Sequence, residues 1–354
     1  MQRFCRHNRF IERCPICRET VPGLAPPARS GRRSSSDDDA AHGGGRAQAG
    51  GARRGGSPRV RRAAGLQVSH ERRAEDDGYR SPLVPGLRAS QDAARLAEEI
   101  AFAEGRLLAL KAAPPDLYGE IREQEDPEQA LWMCFLSAYL SPLESSDPFA
   151  GIRRALEADW RAGELPDLAE IPLGPRTSHD PARGDGTLRA YLHWAERADR
   201  QAGEETGGGA GRGAGPQVNA FTGDPAWTPS RRFERLFERL ALPGLARMGR
   251  YELLLTVGRI GLCEMRAEAL YFSGAPGTGY GDLATVAAKR VFGIGEPMHL
   301  EHRAGELAKA MSVPVEALDL ALANWGNGER ATLGVSPEVL DHHALERAQQ
   351  ALDL

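Results

Sequence analysis

The sequence predicts an all-α protein, preceded by a short cysteine-bearing N-terminus and a linker with no core of its own. Three observations lead there. From about Asp76 onward, apolar residues recur at three- and four-residue spacing. Asp-Pro or Thr-Pro pairs open several of these segments, at Asp126-Pro127, Asp147-Pro148 and Thr228-Pro229. No segment shows the sustained β-branched alternation of a half-buried strand.

The chain has 354 residues, 41% hydrophobic and 27% charged, which is the balance of a globular protein with enough sequence for a sizeable core. Its net charge of −4 gives no global field towards nucleic acid or an anionic membrane. The basic residues are nearly all arginine, the only lysines being Lys111, Lys289 and Lys309. Biased codon usage explains such an excess more readily than phosphate binding does. No apolar run reaches the length of a transmembrane helix and the N-terminus lacks the apolar core of a signal peptide, so no membrane partner and a cytoplasmic location are expected.

The first 20 residues read as a zinc knuckle. Cys5 and His7, then Cys14-Pro15-Ile16-Cys17, supply four nitrogen and sulfur ligands for a tetrahedral Zn(2+) site. The Cys-x-x-Cys turn brings two thiolates to one metal, and a unit this small needs a metal to supply its folding energy. A redox Cys-x-x-Cys is the rival, but it ordinarily opens a helix after a strand in a larger fold. Four ligands close the site, so the metal is structural, and Arg3, Arg6, Arg9 and Arg13 around it suit a protein or nucleic-acid partner. The two remaining cysteines, Cys134 and Cys263, fall within apolar helical patterns and read as small buried hydrophobes.

Residues 21–75 are rich in Gly, Ser, Ala, Pro and Arg and predict a disordered tether. Eleven arginines between Arg29 and Arg73 face four acids there, enough to hold a phosphate backbone loosely, although a plain solvated linker fits as well.

The helical region is expected in two parts, 76–174 and 219–354, separated by a flexible polar and Gly-rich insertion over 175–218. In the first part a helix over 89–112 follows Ser90 as N-cap, a second opens at Asp126-Pro127, and a third runs from Asp147-Pro148 through Trp160. The insertion holds one candidate helix, 188–200. In the second part a helix follows Thr228-Pro229, and others are expected at 247–257, 263–273, 280–291, 297–311, 314–325 and 336–352.

Two features of the second part carry chemistry. Gly293-Ile294-Gly295 joins two helices in the apolar-Gly-apolar-Gly pattern with which helix-hairpin-helix modules aim backbone N–H groups at a DNA phosphate; a purely structural αα-hairpin fits the same residues. Arg290 and Arg303 flank it and would add charge. Downstream, Val315, Leu318, Leu322 and Trp325 form an apolar stripe, with Asp319 at its edge. A carboxylate there must be paired, hydrogen-bonded or shifted in pKa. It is either a structural partner for an arginine such as Arg290 or Arg303, or an active-site acid.

Residues 131–143, the Gly-Ile-Gly hairpin and the acid after it resemble the scaffold of helix-hairpin-helix DNA glycosylases. More closely, the chain is similar to the bacterial clade of the α-glutamyl/putrescinyl thymine pyrophosphorylase group, which begins with a Phe-Cys-x-His-Asn-Arg-Phe…Cys-Pro-Ile-Cys knuckle that Phe4 to Cys17 follow. Leu242-Pro243-Gly244, Gly258-Arg259-Ile260-Gly261-Leu262 and the run Ala288 to Gly295 fit it too. The resemblance implies DNA as partner and a nucleobase-directed site, in which an amine displaces pyrophosphate from an activated substituent on a thymine-type base. It implies Asp319 as the catalytic acid, acting as electrostatic stabiliser or base. Three departures stand out. The gap from Gly295 to Asp319 is longer than in glycosylases, Pro142 and Leu143 replace the polar wedge residues, and no lysine follows the hairpin to form a Schiff base. Base extrusion from a duplex is correspondingly less expected. A non-enzymatic adaptor that uses the scaffold to bind DNA or protein is the alternative.

Overall fold

A computed structural model describes residues 74–205, 215–272, 282–293 and 295–354, the side chains of 201–205 excepted. Residues 1–73, which carry the expected zinc ligands Cys5, His7, Cys14 and Cys17 and most of the linker, lie outside the described residues, as does Ile294. The described residues contain twelve α-helices and no strand, in keeping with the all-α expectation.

In chain order the helices are α1 (Ser90–Ala112), α2 (Leu117–Glu123), α3 (Pro127–Leu140), α4 (Ala150–Ala155), α5 (Gly186–Glu205), α6 (Pro216–Thr222), α7 (Pro229–Arg239), α8 (Arg247–Ile260), α9 (Leu283–Phe292), α10 (Pro297–Met311), α11 (Ala317–Asn327) and α12 (His342–Ala351). Two of the three Asp-Pro and Thr-Pro signals act as read: Asp126 accepts from the Glu128 N–H at 3.1 Å and Thr228 from the Arg231 N–H at 3.2 Å, whereas the helix after Asp147-Pro148 begins only at Ala150, with Phe149 at its N-cap and no side-chain cap. Ser90 is not a cap but the first helical residue. The capping oxygen comes from Asp77 instead, which accepts from the Ser90 N–H at 2.9 Å and its hydroxyl at 2.5 Å.

Helix α1 is the centre of the fold. It packs against α8, α11 and α12, while α3 packs against α8 and α9 against α11. The two helical parts read from the sequence therefore share one core, and the described residues belong to a single unit, Val68–Leu354. Alanines at 93, 97, 101 and 103 of α1 are buried and let its neighbours approach closely.

The region 175–218 is packed over much of its described length, where the sequence suggests a loose insertion. Tyr191 and Leu188 of α5 are fully buried, and the Tyr191 ring stacks on Phe135 of α3 with centroids 3.8 Å apart. Residues 174–178 also cap the C-terminus of α3: Gly174 N–H donates to Leu140 at 3.1 Å and Ser178 N–H to Tyr139 at 2.8 Å. These bonds satisfy carbonyls that a helix end leaves open.

Residues 263–272 form no helix, contrary to the sequence expectation. Side chains from other helices capture the backbone groups a helix needs. Glu316 accepts from the Ala267 N–H at 2.9 Å, and Glu301 from the N–H groups of Leu270 at 2.8 Å and Phe272 at 2.6 Å. Arg232 donates to the Glu264 carbonyl at 2.8 Å, Tyr251 to that of Ala269, and Arg247 to that of Leu270. The result is an extended strap laid over α8, α10 and α11. The helix expected through Trp160 is likewise shortened to α4, with a separate 3-10 turn at Trp160–Ala162.

Cys134 is buried as expected, and burial pushes its thiol pKa up. Cys263 lies on the strap, partly exposed, its sulfur 3.6 Å from the Phe221 carbonyl.

Candidate functional site

Asp319 sits in the first turn of α11 and is 2% exposed. Leu318 and Leu322 around it are fully buried, so the apolar stripe carries the carboxylate into the core. Two arginines meet it there. Arg176 donates Nη2 to Oδ2 at 2.9 Å, and Arg247, the first residue of α8, donates Nη2 to Oδ1. Both guanidinium groups are as buried as the acid.

The partners are thus Arg176 and Arg247, not Arg290 or Arg303. Arg290 lies over the Trp325 ring, 4.8 Å from its centroid. Arg303 is exposed on α10 and reaches the Pro82 carbonyl at 3.4 Å and Glu306 at 3.3 Å. The reason is geometric: Arg303 points off the surface, and Arg290 is taken up by the far end of α11.

Arg247 ties three segments together. Besides Asp319 it pairs through Nε with Asp282 at 2.7 Å, donates Nη1 to the Leu270 carbonyl of the strap, and lies against the Tyr251 ring. Burial works against its charge, but Asp319 and Asp282 more than offset this and hold its pKa above the usual arginine value. For Asp319 burial likewise favours the neutral acid, yet Arg247 and Arg176 hold its pKa below the usual aspartate value. An acid so held is a weak proton acceptor, and each of its oxygens is already engaged. It can anchor and orient cations better than it can take a proton.

A cavity of about 10 Å3 lies on the other side of Asp319, lined by Arg106, Glu252 and Glu316 among others, with room for about one water. Arg106 is paired there with Glu252 at 2.5 Å. Among the described residues no group of three or more His, Cys, Asp or Glu side chains is arranged to hold a metal.

Segment 174–179, which carries Arg176, also sets His179 against the end of α3. His179 Nδ1 and the Tyr139 hydroxyl are 2.9 Å apart, and burial lowers the His179 pKa. Arg176, Arg247 and Asp282 escape a reading of the sequence as candidate site residues. Arg176 is hidden in a polar stretch that looks like a linker. Arg247 did leave a signal: with Tyr251 and Leu254 it shares an apolar helix face, where a lone charge needs a partner.

The hairpin is where the sequence puts it. Gly293 ends α9 with φ +67, a left-handed conformation that favours glycine, and Gly295 precedes α10 with open space around it. Both glycines are exposed. Gly293 is anchored from behind, where the Gly86 N–H donates to the Val291 carbonyl at 2.9 Å. Asp319 is buried while the hairpin is at the surface, and neither Arg290 nor Arg303 connects the two. No helix among the described residues is long and apolar enough to cross a membrane.

Fold and site together define an all-α hairpin protein whose buried Asp319 is clamped by two arginines from distant segments. Residues 217–332, which include Arg247, Asp282, the hairpin and Asp319, match the family model described as α-glutamyl/putrescinyl thymine pyrophosphorylase clade 3, and the match supports membership of that group. No curated protein and no solved structure matches the chain.

Proposed function

We propose that the protein is a DNA-directed base-modification enzyme, in which an amine displaces pyrophosphate at an activated substituent of a thymine-type base. The observation that carries this reading is the family match over 217–332, a segment that supplies Arg247, Asp282, the hairpin glycines and Asp319. Asp319 serves as the electrostatic anchor of the site: it fixes Arg247 and Arg176, whose positive charge stabilises a departing anion. Gly293, Ile294 and Gly295 hold a DNA phosphate through backbone N–H groups, with Arg290 and Arg303 adding charge. Cys5, His7, Cys14 and Cys17 form a closed zinc knuckle that docks onto a protein or nucleic-acid partner, apart from the chemistry. The test is mass spectrometry of nucleosides from host DNA with and without the gene. A base lost or gained with the gene is the expected result, and identical nucleosides in both would overturn the enzymatic reading.

The closed state of Asp319, with both oxygens engaged by arginines, favours a second reading, a non-enzymatic adaptor on the same scaffold. Asp319→Asn separates the two, provided the variant folds. Full biological function after that change fits the adaptor, and its loss with DNA binding retained fits the enzyme.

A further inference from the structure

The proposed reaction needs a group that takes a proton, and Asp319 is not that group, since arginines hold both of its oxygens. An amine is an ammonium ion near neutral pH and has to lose a proton before it can attack. A histidine suits that task, because its ordinary pKa lies closest to pH 7. His193, His299, His302, His342 and His343 are exposed, and among the described residues His179 alone is a buried histidine. It lies three positions beyond Arg176, so their Cα atoms are at most about 11 Å apart. Burial lowers the His179 pKa, against the opposing charge of Asp180, so the ring is neutral at pH 7.

A neutral histidine accepts a proton only on the nitrogen that carries none, and its hydrogen bonds fix which one that is. His179 Nδ1 stands 2.9 Å from the Tyr139 hydroxyl. Burial raises the Tyr139 pKa, with Asp180 adding to this and Arg183 opposing it, so the phenol keeps its proton. That hydroxyl also meets the hydroxyl of Thr187. Thr187 in turn donates to the Pro243 carbonyl at 3.0 Å. Gly244, at φ +84, permits this close approach: a Cβ there would stand 2.1 Å from the Thr187 hydroxyl oxygen. A carbonyl only accepts, so the Thr187 proton is committed to Pro243, and Thr187 can only accept from Tyr139. The phenol proton therefore turns to Thr187, and the phenol oxygen accepts from His179 Nδ1–H. Nε2 is left with a bare lone pair. It has no hydrogen-bond partner among the described residues and is not sealed from solvent.

We propose that His179 is the catalytic base, taking a proton on Nε2 from the amine nucleophile, and that Tyr139 and Thr187 are positioning residues that fix its tautomer. The assignment rests on the base chemistry proposed above. The ammonium ion gives a proton to Nε2, and the freed nitrogen lone pair forms the bond to the carbon of the activated substituent. The carbon–oxygen bond breaks, and pyrophosphate leaves with the electron pair. The imidazolium then returns its proton to solvent. His179, Tyr139 and Thr187 all precede the matched stretch 217–332, while Pro243 lies within it. The matched segment thus acts on the histidine through the Thr187 hydroxyl.

Thr187→Val is the decisive variant. It keeps the shape of a fully buried side chain and removes the acceptor of the Tyr139 proton. The phenol should then donate to Nδ1 and drive the ring proton to Nε2. Long-range proton–nitrogen NMR of the isotopically labelled full chain at pH 7 reads this directly. The expected result is the Nδ1–H tautomer in wild type and the Nε2–H tautomer in Thr187→Val. An Nε2–H or doubly protonated ring in wild type would overturn the proposal, as would a tautomer that Thr187→Val leaves unchanged. The second readout is nucleoside analysis of host DNA with the variant genes in place. His179→Gln can still bond to Tyr139 but cannot take the proton, so the product base should fall at least about tenfold. Thr187→Val retains the histidine and should lower the product in the same direction, which decides the matter if His179→Gln does not fold. As much product from both variants as from wild type would sink the histidine and leave the base chemistry standing. No product from wild type would remove the reaction and its base together, so the two failures are told apart.

Discussion

Arg176 and Asp319 stand 143 positions apart in the chain and meet at 2.9 Å inside the core. Arg247 closes the other side of the same carboxylate. One acid thus joins the loop after α4, the start of α8 and the start of α11. Removing it leaves two buried guanidinium groups short of a counter-charge, which costs far more than the intact pair contributes. Asp319→Ala is expected to lose about 3–5 kcal/mol of stability in urea unfolding. A loss below about 1 kcal/mol would mean the clamp does not form in solution.

The same pair fixes a pH dependence. Its pKa in the folded protein lies below the usual aspartate value, because Arg247 and Arg176 outweigh burial. The unfolded chain therefore takes up the proton first, near pH 3.9. The stability that Asp319 contributes is fully present above that value and is lost as pH falls through it towards the folded pKa. Asp319→Asn removes this term, so the stability difference between wild type and variant should shrink as pH drops below about 4. A difference that stays constant down to pH 3 would contradict the assignment.

The strap supplies a separate expectation. Glu301 holds the N–H groups of Leu270 and Phe272, and Glu316 holds that of Ala267. Glu301→Ala releases two of these amides at once. Hydrogen exchange at Leu270 and Phe272 should then rise at least tenfold, while amides inside α1 keep their protection. Uniform loss across both regions would show global unfolding instead of a local release of the strap.

What a sequence reveals here follows the range of the forces involved. Helix starts at Pro127 and Pro229 are set by caps within three residues, and they are read correctly. The hairpin is equally local, a left-handed Gly293 between two amphipathic runs. The strap is not: its composition suits a helix, and carboxylates from Glu301 and Glu316, 29 to 49 positions onward, draw its amides away. The burial of Asp319 is legible from the stripe of Leu318 and Leu322, but its partners are not. Arg176 lies in a polar stretch whose role depends on capping α3, a contact between residues far apart in the chain. Arg247 is the instructive case, since its place on the face of Tyr251 and Leu254 asks for a counter-charge without naming it.

The zinc expectation rests on Cys5, His7, Cys14 and Cys17, which lie outside the described residues, and metal analysis addresses it directly. Full-length protein purified without chelator should carry one zinc per chain by atomic absorption. Cys14→Ser combined with Cys17→Ser removes both thiolates of the tight turn and should abolish it. Retained stoichiometric zinc in that variant would place the metal elsewhere.

The exposed hairpin gives the last expectation, and its two glycines are not equivalent. Gly293 has φ +67, so Gly293→Asp adds backbone strain to the added charge. Gly295 has open space where a side chain would stand, which makes Gly295→Asp the cleaner probe. If the turn holds a DNA phosphate, a carboxylate there repels it. The affinity of the full chain for duplex DNA should fall at least tenfold at about 0.1 M salt, with no change in melting temperature. The Arg-rich N-terminal stretch contributes its own salt-dependent binding, common to wild type and variant, so the ratio of the two affinities is what decides. DNA affinity indifferent to Gly295→Asp under those conditions would leave the hairpin with a packing role alone, resting on Gly86 behind Val291.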